Sequence, residues 1–600
     1  MPRKITSGII QLMKFAELAL YLERLEGTNS RNEMTKVLAE LFRQASPEDA
    51  RLIAYLSAGR LGPAYDSPDM GIADKSMLKT LKSLNAGDTD KMFVKLGDLG
   101  LVAQEIRSIR AGEYKSVSIK EVHQKLLEIA KDSGTGSQQR KQQLIRDLLD
   151  NLDPVGAKYA VKIILGKLRI GFSDMTVLDS LSWMIAGDKS KRKEIERMYN
   201  VRADLGEIAT EMIKYKKPRD IEPEIGTPIL MARAERAKNP GEIWTRNGRC
   251  AVEYKLDGLR IQAHITKSQI LNPKSQINSN NQNPNTKLFS RGLEDVTHMY
   301  PDIVEGLQKQ IKKDCIVEGE MIAVDSRGKF LPFQETVQRK RKYNISEMVK
   351  KVPLKIYLFD LLLLDGTNMI NRANKERREK LEKLVYEGEI IKLVPRVEIE
   401  GEMEIEKYFQ KAVAVGTEGI IAKKLDGPYQ AGARDFNWIK YKKSYDQSVM
   451  ADTLDVVVMG YDEGQGKRSK FGIGDFLAGV YDPATDKYYT VAKIGTGLTD
   501  EEWRRMKKGL SAPAKGGQAV LNKKPENYEV SKQMECDHWV EPKIVVEILA
   551  DEITKSPMHT SRFALRFPRL VSWREKKPTD VTSMKELERM FKLQKTGGDY

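Results

Sequence analysis

The apolar positions of this chain fall into three rhythms. Over residues 1 to about 220 they recur at helical spacing, and alternating strand patterns are scarce. The segment "SPEDARLIAYLSAGRLG" opens on Ser46 as an N-cap, with Pro47 at the first helical position and acids in the first turn; Gly59 or Gly62 ends it. A second helix starts at Asp153-Pro154 in "DPVGAKYAVKIILGKLRIGFSDMTVLDSLSWMIAG". A glycine-bounded basic turn from Gly166 to Gly171 follows, and then a helix capped near Ser173. Near residue 220 the Pro- and Gly-rich stretch "KKPRDIEPEIGTPILMARAERAKNPGEI" reads as a linker into a new domain. From 245 to about 445, strands of period two alternate with helices such as Asn374 to Val385 and Glu404 to Val415. From about 447 the pattern becomes short strands separated by turn residues ("LDVVVMGYDEG", "GDFLAGVYDP", "KYYTVAKIGTG", "WVEPKIVVEILA"), as in a small β-barrel. The expected fold is multidomain: all-α over 1–222, α+β over 223–446 and a β-barrel over 447–600.

One stretch interrupts this pattern. Residues 267–286, "KSQILNPKSQINSNNQNPNT", hold a seven-residue near-repeat and six asparagines, too little apolar surface to bury. Because both flanks read as strands, it is expected to be an expanded hairpin tip that adds no chemistry.

Composition narrows the function. A formal charge of +16 and a pI near 9.3 point to a polyanionic partner such as nucleic acid. Cys250, Cys315 and Cys536 are far apart and form no CxxC, which argues against a disulfide framework or a cysteine zinc module and fits a reducing interior. No apolar run approaches the ~18 residues that span a bilayer. The N-terminal "MPRKITSGIIQLMKFAELALYLERLEG" reads as an amphipathic helix carrying acids, with no small-residue cleavage site, so no signal peptide is expected.

The candidate chemistry begins at "EYKLDGLR", residues 253–260. On a strand, Glu253, Lys255 and Asp257 share one face and Val252, Tyr254 and Leu256 the other. Taken alone, this pattern is more often an exposed charged turn than a nucleophile. A lysine amine attacks only when neutral, and adjacent carboxylates oppose that unless they are committed to a metal or ligand. Further groups follow in order. Glu318 and Glu320 share a face of the apolar strand "IVEGEMIAV", Glu418 precedes the strand ending in Lys423 in "TEGIIAKK", and "YQAGARDFNWIKYKK" gathers Arg434, Lys440 and Lys442 with Trp438. Carboxylates for magnesium and cations for phosphate are what nucleotide phosphate chemistry requires. Singly each reads as a solvated strand-end charge; four in order within one domain reverse that preference. No GxxxxGK[ST] occurs, so side chains rather than a P-loop must hold any nucleotide.

With these motifs the chain resembles the ATP-dependent DNA ligases, particularly the archaeal and eukaryotic replicative type, within the nucleotidyltransferase superfamily of capping enzymes and RNA ligases. The resemblance covers nearly the whole length. It implies that Lys255 is adenylated at its amine, with Glu253 on the adenine amino group and Arg260 near ribose and phosphate. In "FSRGLED" Arg291 would contact nucleotide; in "VEGE" Glu320 would lie near ribose and metal; in "YLFDLLLLDG" Phe359 would stack on adenine. Glu418 would bind metal, Lys423 a phosphate, and Arg434 and Lys440 the triphosphate or its α-phosphate. "ALRFPRLVSWREKK" resembles the last motif, with Arg566, Arg569 and Lys576 on an OB-fold domain orienting the leaving pyrophosphate.

The resemblance further implies ATP and Mg2+ (other divalent ions being alternatives), nicked double-stranded DNA as partner, and roles in replication, repair, recombination and cell division. A monomer in the cytoplasm at the nucleoid is expected, without membrane contact; a sliding clamp is a further candidate partner, although the chain shows no clear clamp motif. The helical region around "GKLRIGFSDMTVLDSL" resembles the DNA-binding domain of this type, and the three domains would close as a ring round the nick. Two departures are the asparagine-rich insert and "GTPILMARAERA", where the family has a more proline-rich lead-in; the latter carries no assigned role. RNA ligases and capping enzymes share the lysine motif but generally lack some 220 helical residues ahead of it. An NAD-dependent ligase would be expected to carry a four-cysteine zinc module, and a catalytically dead scaffold would show losses from the motif set.

Overall fold

The computed structural model describes residues 12–28, 30–84, 86–110, 114–168, 170, 173–267, 285–341, 343–386, 388–443, 453–464, 472–496, 498–511, 520–521 and 523–596. It divides into two compact units, Met1–Lys440 and Tyr441–Tyr600.

The first unit begins with helices, from Phe15–Glu26 to Leu205–Tyr215. Their ends follow the local signals. Ser46 accepts from the Asp49 amide at 3.1 Å and Pro47 opens the helix Pro47–Ser57, after which Gly59 takes a left-handed φ of +70°. The helices Pro154–Ile164 and Asp174–Ala186 also start where expected, although Ser173 makes no side-chain cap bond. Arg169, Gly171 and Phe172 of the basic turn lie outside the described residues. One apolar core, built on Phe15, Leu38, Phe42, Ile53 and Leu178, joins these helices. The chain leaves them along the following strands' flank: the Leu230 amide donates to Asn200 O at 2.8 Å and the Ala203 amide to Pro228 O at 3.0 Å.

Two sheets follow. In chain order their strands are β1 (Arg233–Arg236), β2 (Cys250–Lys255), β3 (Leu259–Ile265), β4 (Thr286–Ser290), β5 (Cys315–Ala323), β6 (Leu354–Leu364), β7 (Thr367–Asn368), β8 (Ile391–Leu393), β9 (Arg396–Ile399), β10 (Gly419–Lys424) and β11 (Arg434–Lys442). One sheet runs β1-β11-β10-β2-β9; the other runs β4-β3-β5-β6-β7, with β8 beside β6. β3 and β4 pair antiparallel up to Ile265 opposite Thr286, as the two arms of a hairpin. The asparagine-rich segment between them, 268–284, lies outside the described residues. The helices Asn374–Leu384 and Glu402–Ala414 match their expected positions within two residues.

The alternation of charged and apolar residues along β2 does not leave one face solvated. Residues 250–254 are all buried, so both faces of the strand are covered, and the strand stops at Lys255, which leaves Asp257 in the turn beyond it.

In the second unit, Leu454–Asp462 pairs with Asp475–Asp482, which pairs with Lys487–Ile494, and Val545–Leu549 also lies against Leu454–Asp462. Among the described residues these strands belong to an eight-stranded sheet, with Glu552–Lys555 and Phe563–Arg566 as a separate pair. The described pairing makes a sheet domain; it does not show the closed barrel expected from the strand spacing. All three cysteines are free. No helix among the described residues is long and apolar enough to cross a membrane.

Candidate active site

Lys255 ends β2 in one sheet, and three residues after it the chain turns at Gly258 into β3 of the other. A side chain at Gly258 has no room: a Cβ there would lie 2.1 Å from Met321 O and 3.1 Å from Glu320 Cγ. The glycine therefore lets β3 meet the end of β5 and brings Glu320 beside the lysine.

Register supplies the rest. Gly419 lies opposite Lys255, the Glu418 amide donates to Lys255 O at 2.9 Å, and the Lys255 amine is ion-paired with the Glu418 carboxylate. Glu320 on β5 lies opposite Arg260 on β3. Arg260 donates from Nη1 to Ala232 O at 2.6 Å and from Nη2 to Glu318 Oε2 at 2.7 Å, with its guanidinium 5.4 Å from the ring centres of both Phe359 and Trp438. Burial opposes the charge on Arg260, yet Glu318 beside it holds its pKa above the ordinary arginine range.

Glu320 is the acid with the most unusual environment. Burial pushes its carboxyl up to about 7, with Lys255 and Arg260 opposing and Glu418 and Asp257 reinforcing the shift. Because the unfolded chain ionises this group near 4.5, its contribution to stability is complete below that value and is lost as pH rises through about 7. Relative to the native protein, Glu320→Gln is therefore expected to gain on the order of 1–3 kcal/mol between pH 5 and pH 8. Paired thermal melts across that range check it; an unchanged difference contradicts the assigned environment.

Behind the lysine, Glu253 faces Lys423, whose Nζ lies 2.7 Å from Glu253 Oε2 and donates to Phe359 O at 3.1 Å. That amine sits 4.7 Å from the Phe359 ring centre and 4.4 Å from that of Trp438. Burial lowers the Lys423 pKa, with Glu253 and Asp360 opposing. Phe359 is half-buried and meets Trp438 edge-to-face at 6.0 Å. Its neighbour Asp360 is buried in a two-point ion pair with Arg377, at 2.7 and 3.0 Å, which ties β6 to the helix Asn374–Leu384.

Lys255, Glu253, Arg260, Glu320, Phe359, Lys423 and Glu418 thus converge on the two sheets. Arg434 is exposed at the start of β11 opposite Arg233, Lys440 lies further along opposite Arg236, and Arg291 is exposed in the turn after β4. The remaining three belong to the second unit. There Arg566 lies 3.5 Å from Glu552, Arg569 pairs with Asp551, and Lys576 donates to Asp455 at 2.5 Å.

Glu318, one of the candidate carboxylates, has no role of its own in the resemblance; it is fully buried against Arg260. The lead-in "GTPILMARAERA" has none either. The lead-in is strapped to β3. Gln262 Oε1 accepts from the Ile229 amide at 2.8 Å, and His264 Nδ1 accepts from the Gly226 amide at 3.0 Å. Burial pushes the His264 imidazole down to about 3, so it stays a neutral acceptor. The alternation Arg260, Gln262, His264 on one strand face was the available signal.

Sequence comparison gives the same class as the fold. Models described as DNA ligase N terminus, ATP dependent DNA ligase domain and ATP dependent DNA ligase C terminal region match residues 14–182, 231–442 and 469–577. The chain belongs to the ATP-dependent DNA ligase family, with a helical N-terminal region, a nucleotidyltransferase core and a C-terminal sheet domain. It is 43% identical to a probable DNA ligase of Dictyoglomus turgidum, over 97% of this chain and 98% of that one. It is 36% identical to the DNA ligase of Pyrobaculum calidifontis (97% and 99%) and 36% identical to that of Sulfolobus acidocaldarius (96% and 98%). A solved structure designated Pmar-Lig_PreS3 shares the fold, with a TM-score of 0.53 at 17% identity over 93% of this chain and 99% of that one.

Proposed function

We propose that Lys255 is the nucleophile with which this ATP-dependent DNA ligase seals nicks in duplex DNA. The observation that carries the assignment is the gathering of Glu418, Glu320 and Arg260 around the end of β2, each on a different strand or loop. The Lys255 amine gives up a proton and attacks the α-phosphorus of ATP; a P–N bond forms as the bond to pyrophosphate breaks. The 5′-phosphate at a nick then attacks the AMP phosphorus and releases the lysine. Finally the 3′-hydroxyl attacks the 5′-phosphorus, joins the strand and expels AMP.

Arg260 lies on the path of the transferred phosphate, and Phe359 offers a face to the base, a stack worth ~1–3 kcal/mol in comparable contacts. Glu320 and Glu418 suit a magnesium ion that takes one or two carboxylates and completes its shell with phosphate oxygens and water. Bound Mg2+ would neutralise phosphate charge and compete with Lys255 for Glu418.

The same reading makes 1–222 the DNA-binding domain, 223–446 the adenylation domain and 447–600 an OB-fold whose Arg566, Arg569 and Lys576 leave their present acids to orient pyrophosphate. It gives Arg291, Arg434 and Lys440 nucleotide contacts, and makes the enzyme a monomer on DNA. The test is incubation of the purified protein with ATP, GTP or NAD and a nicked duplex of DNA or RNA. Sealing of the DNA nick with ATP supports the proposal; sealing of RNA alone, or with NAD alone, overturns it.

A further inference from the structure

Glu253 is enclosed more tightly than a single ion pair requires. Its side chain is 3% exposed, and three cations from three elements surround it. Lys423 of β10 takes Oε2. On the other side, Oε1 lies 3.6 Å from Arg396 Nη1 of β9 and 4.0 Å from Arg378 Nη1 of the helix Asn374–Leu384. β2 runs between β10 and β9; Glu253 lies directly opposite Arg396 on β9, and Lys423 stands diagonally across on β10, opposite Ala251. The guanidiniums are braced from behind. Arg378 donates from Nε to Glu382 at 2.7 Å and from Nη2 to Val394 O at 3.1 Å, and Arg396 donates from Nη1 to Asn374 at 2.9 Å.

Two atoms in this cluster are buried without a hydrogen-bond partner among the described residues: Glu253 Oε1, an acceptor, and Arg378 Nη1, a donor. Buried polar atoms are seldom left so, and these two are neighbours 4.0 Å apart. Side by side they form an acceptor next to a donor. The 6-amino group of adenine next to its ring nitrogen is the complementary pair. A purine with a 6-oxo group next to an N1–H presents the reverse and would leave both protein atoms opposed.

We propose that Arg396 positions Glu253 and that Arg378 completes with Glu253 the edge that reads the purine 6-position, so that these two arginines set the preference for ATP. The inference rests on Glu253 as the adenine contact. Arg378 sits in "NKERREKLEKL", a run that reads as a solvated helix, and Arg396 in a short strand, so neither stands out from sequence alone.

The experiment measures kcat/KM for covalent nucleotidylation of the full chain with α-labelled ATP and α-labelled inosine triphosphate, which differ only around the 6-position. Arg378→Gln and Arg396→Gln are each expected to lower the ATP-to-inosine preference by at least about tenfold, mainly through KM for ATP, with Arg378→Lys recovering part of it. An unchanged preference in both, whatever their melting temperatures, overturns the inference. Glu253→Gln separates the two levels. If it leaves the preference intact, the adenine reading of Glu253 falls and this inference with it; if it lowers the preference while the arginine variants do not, only this inference falls. Should Arg378→Gln fail to fold, Arg378→Lys and Arg396→Gln decide the outcome by the same criterion.

Discussion

Lys255→Ala is expected to lose transfer of label from α-labelled ATP by at least about 10⁴-fold while the protein stays folded. Neither Lys423 nor Lys440 stands in for it. Lys423 is fully buried, committed to Glu253 and to Phe359 O, and Lys440 lies on β11, two strands from β2 in the sheet order. Lys255→Arg should be equally inactive, since a guanidinium keeps the charge but cannot surrender a proton to become a nucleophile. Both variants should still join a nick whose 5′-phosphate already carries AMP, because that substrate bypasses the lysine. Filter-bound label, melting temperature and a gel assay on the pre-adenylated nick check the three statements together. Persistent labelling of Lys255→Ala would move the nucleophile elsewhere.

Arg377→Leu is expected to have the largest effect on stability, about 3–5 kcal/mol. The residue is fully buried and makes four hydrogen bonds: two to Asp360, at 2.7 and 3.0 Å, one to Arg372 O at 2.6 Å and one to Gly427 O at 3.1 Å. Leucine leaves Asp360 and two carbonyls without these partners in the interior. Burial raises the Asp360 pKa, and the Arg377 guanidinium more than offsets this, holding it below the usual carboxylate value. The double variant Arg377→Leu with Asp360→Leu should recover a good part of the loss, because no lone charge then remains buried. Urea unfolding of the two variants measures both effects. Equal stability of Arg377→Leu and the native protein would contradict the reading of this pair as what holds Phe359's strand in place.

Much of the site could be read along the chain because phosphate chemistry restricts residue type. A lysine, three acids and several cations recur on β2, β3, β5, β10 and β11, and chain order suffices to propose them. The helix starts at Pro47 and Pro154 were legible for a similar reason, since capping is decided within four residues. What sequence could not supply depends on sheet order and burial. "NKERREKLEKL" has the polarity of an exposed helix, yet Arg377 and Arg378 are buried because the helix packs against β6 and its arginines reach Asp360 and the neighbourhood of Glu253. β2 looked half-solvated because charged residues alternate along it; the surrounding cations and the covering helix Glu402–Ala414, whose Tyr408 meets Tyr254 at 5.2 Å, bury both faces. Arg566, Arg569 and Lys576 are expected to orient pyrophosphate, and their acid partners in the same unit, such as Asp455 for Lys576, 121 residues away, could not be read along the chain.

If Lys255 is the nucleophile, AMP travels from ATP through Lys255 to the nick. Mass mapping of the native protein after incubation with ATP and a divalent cation tests it most directly. An AMP adduct on the peptide containing Lys255, discharged when nicked duplex DNA is added and matched by an equal amount of sealed strand, is the result the structure predicts. An adduct on any other residue, or sealed DNA formed without Lys255 ever carrying AMP, would contradict it.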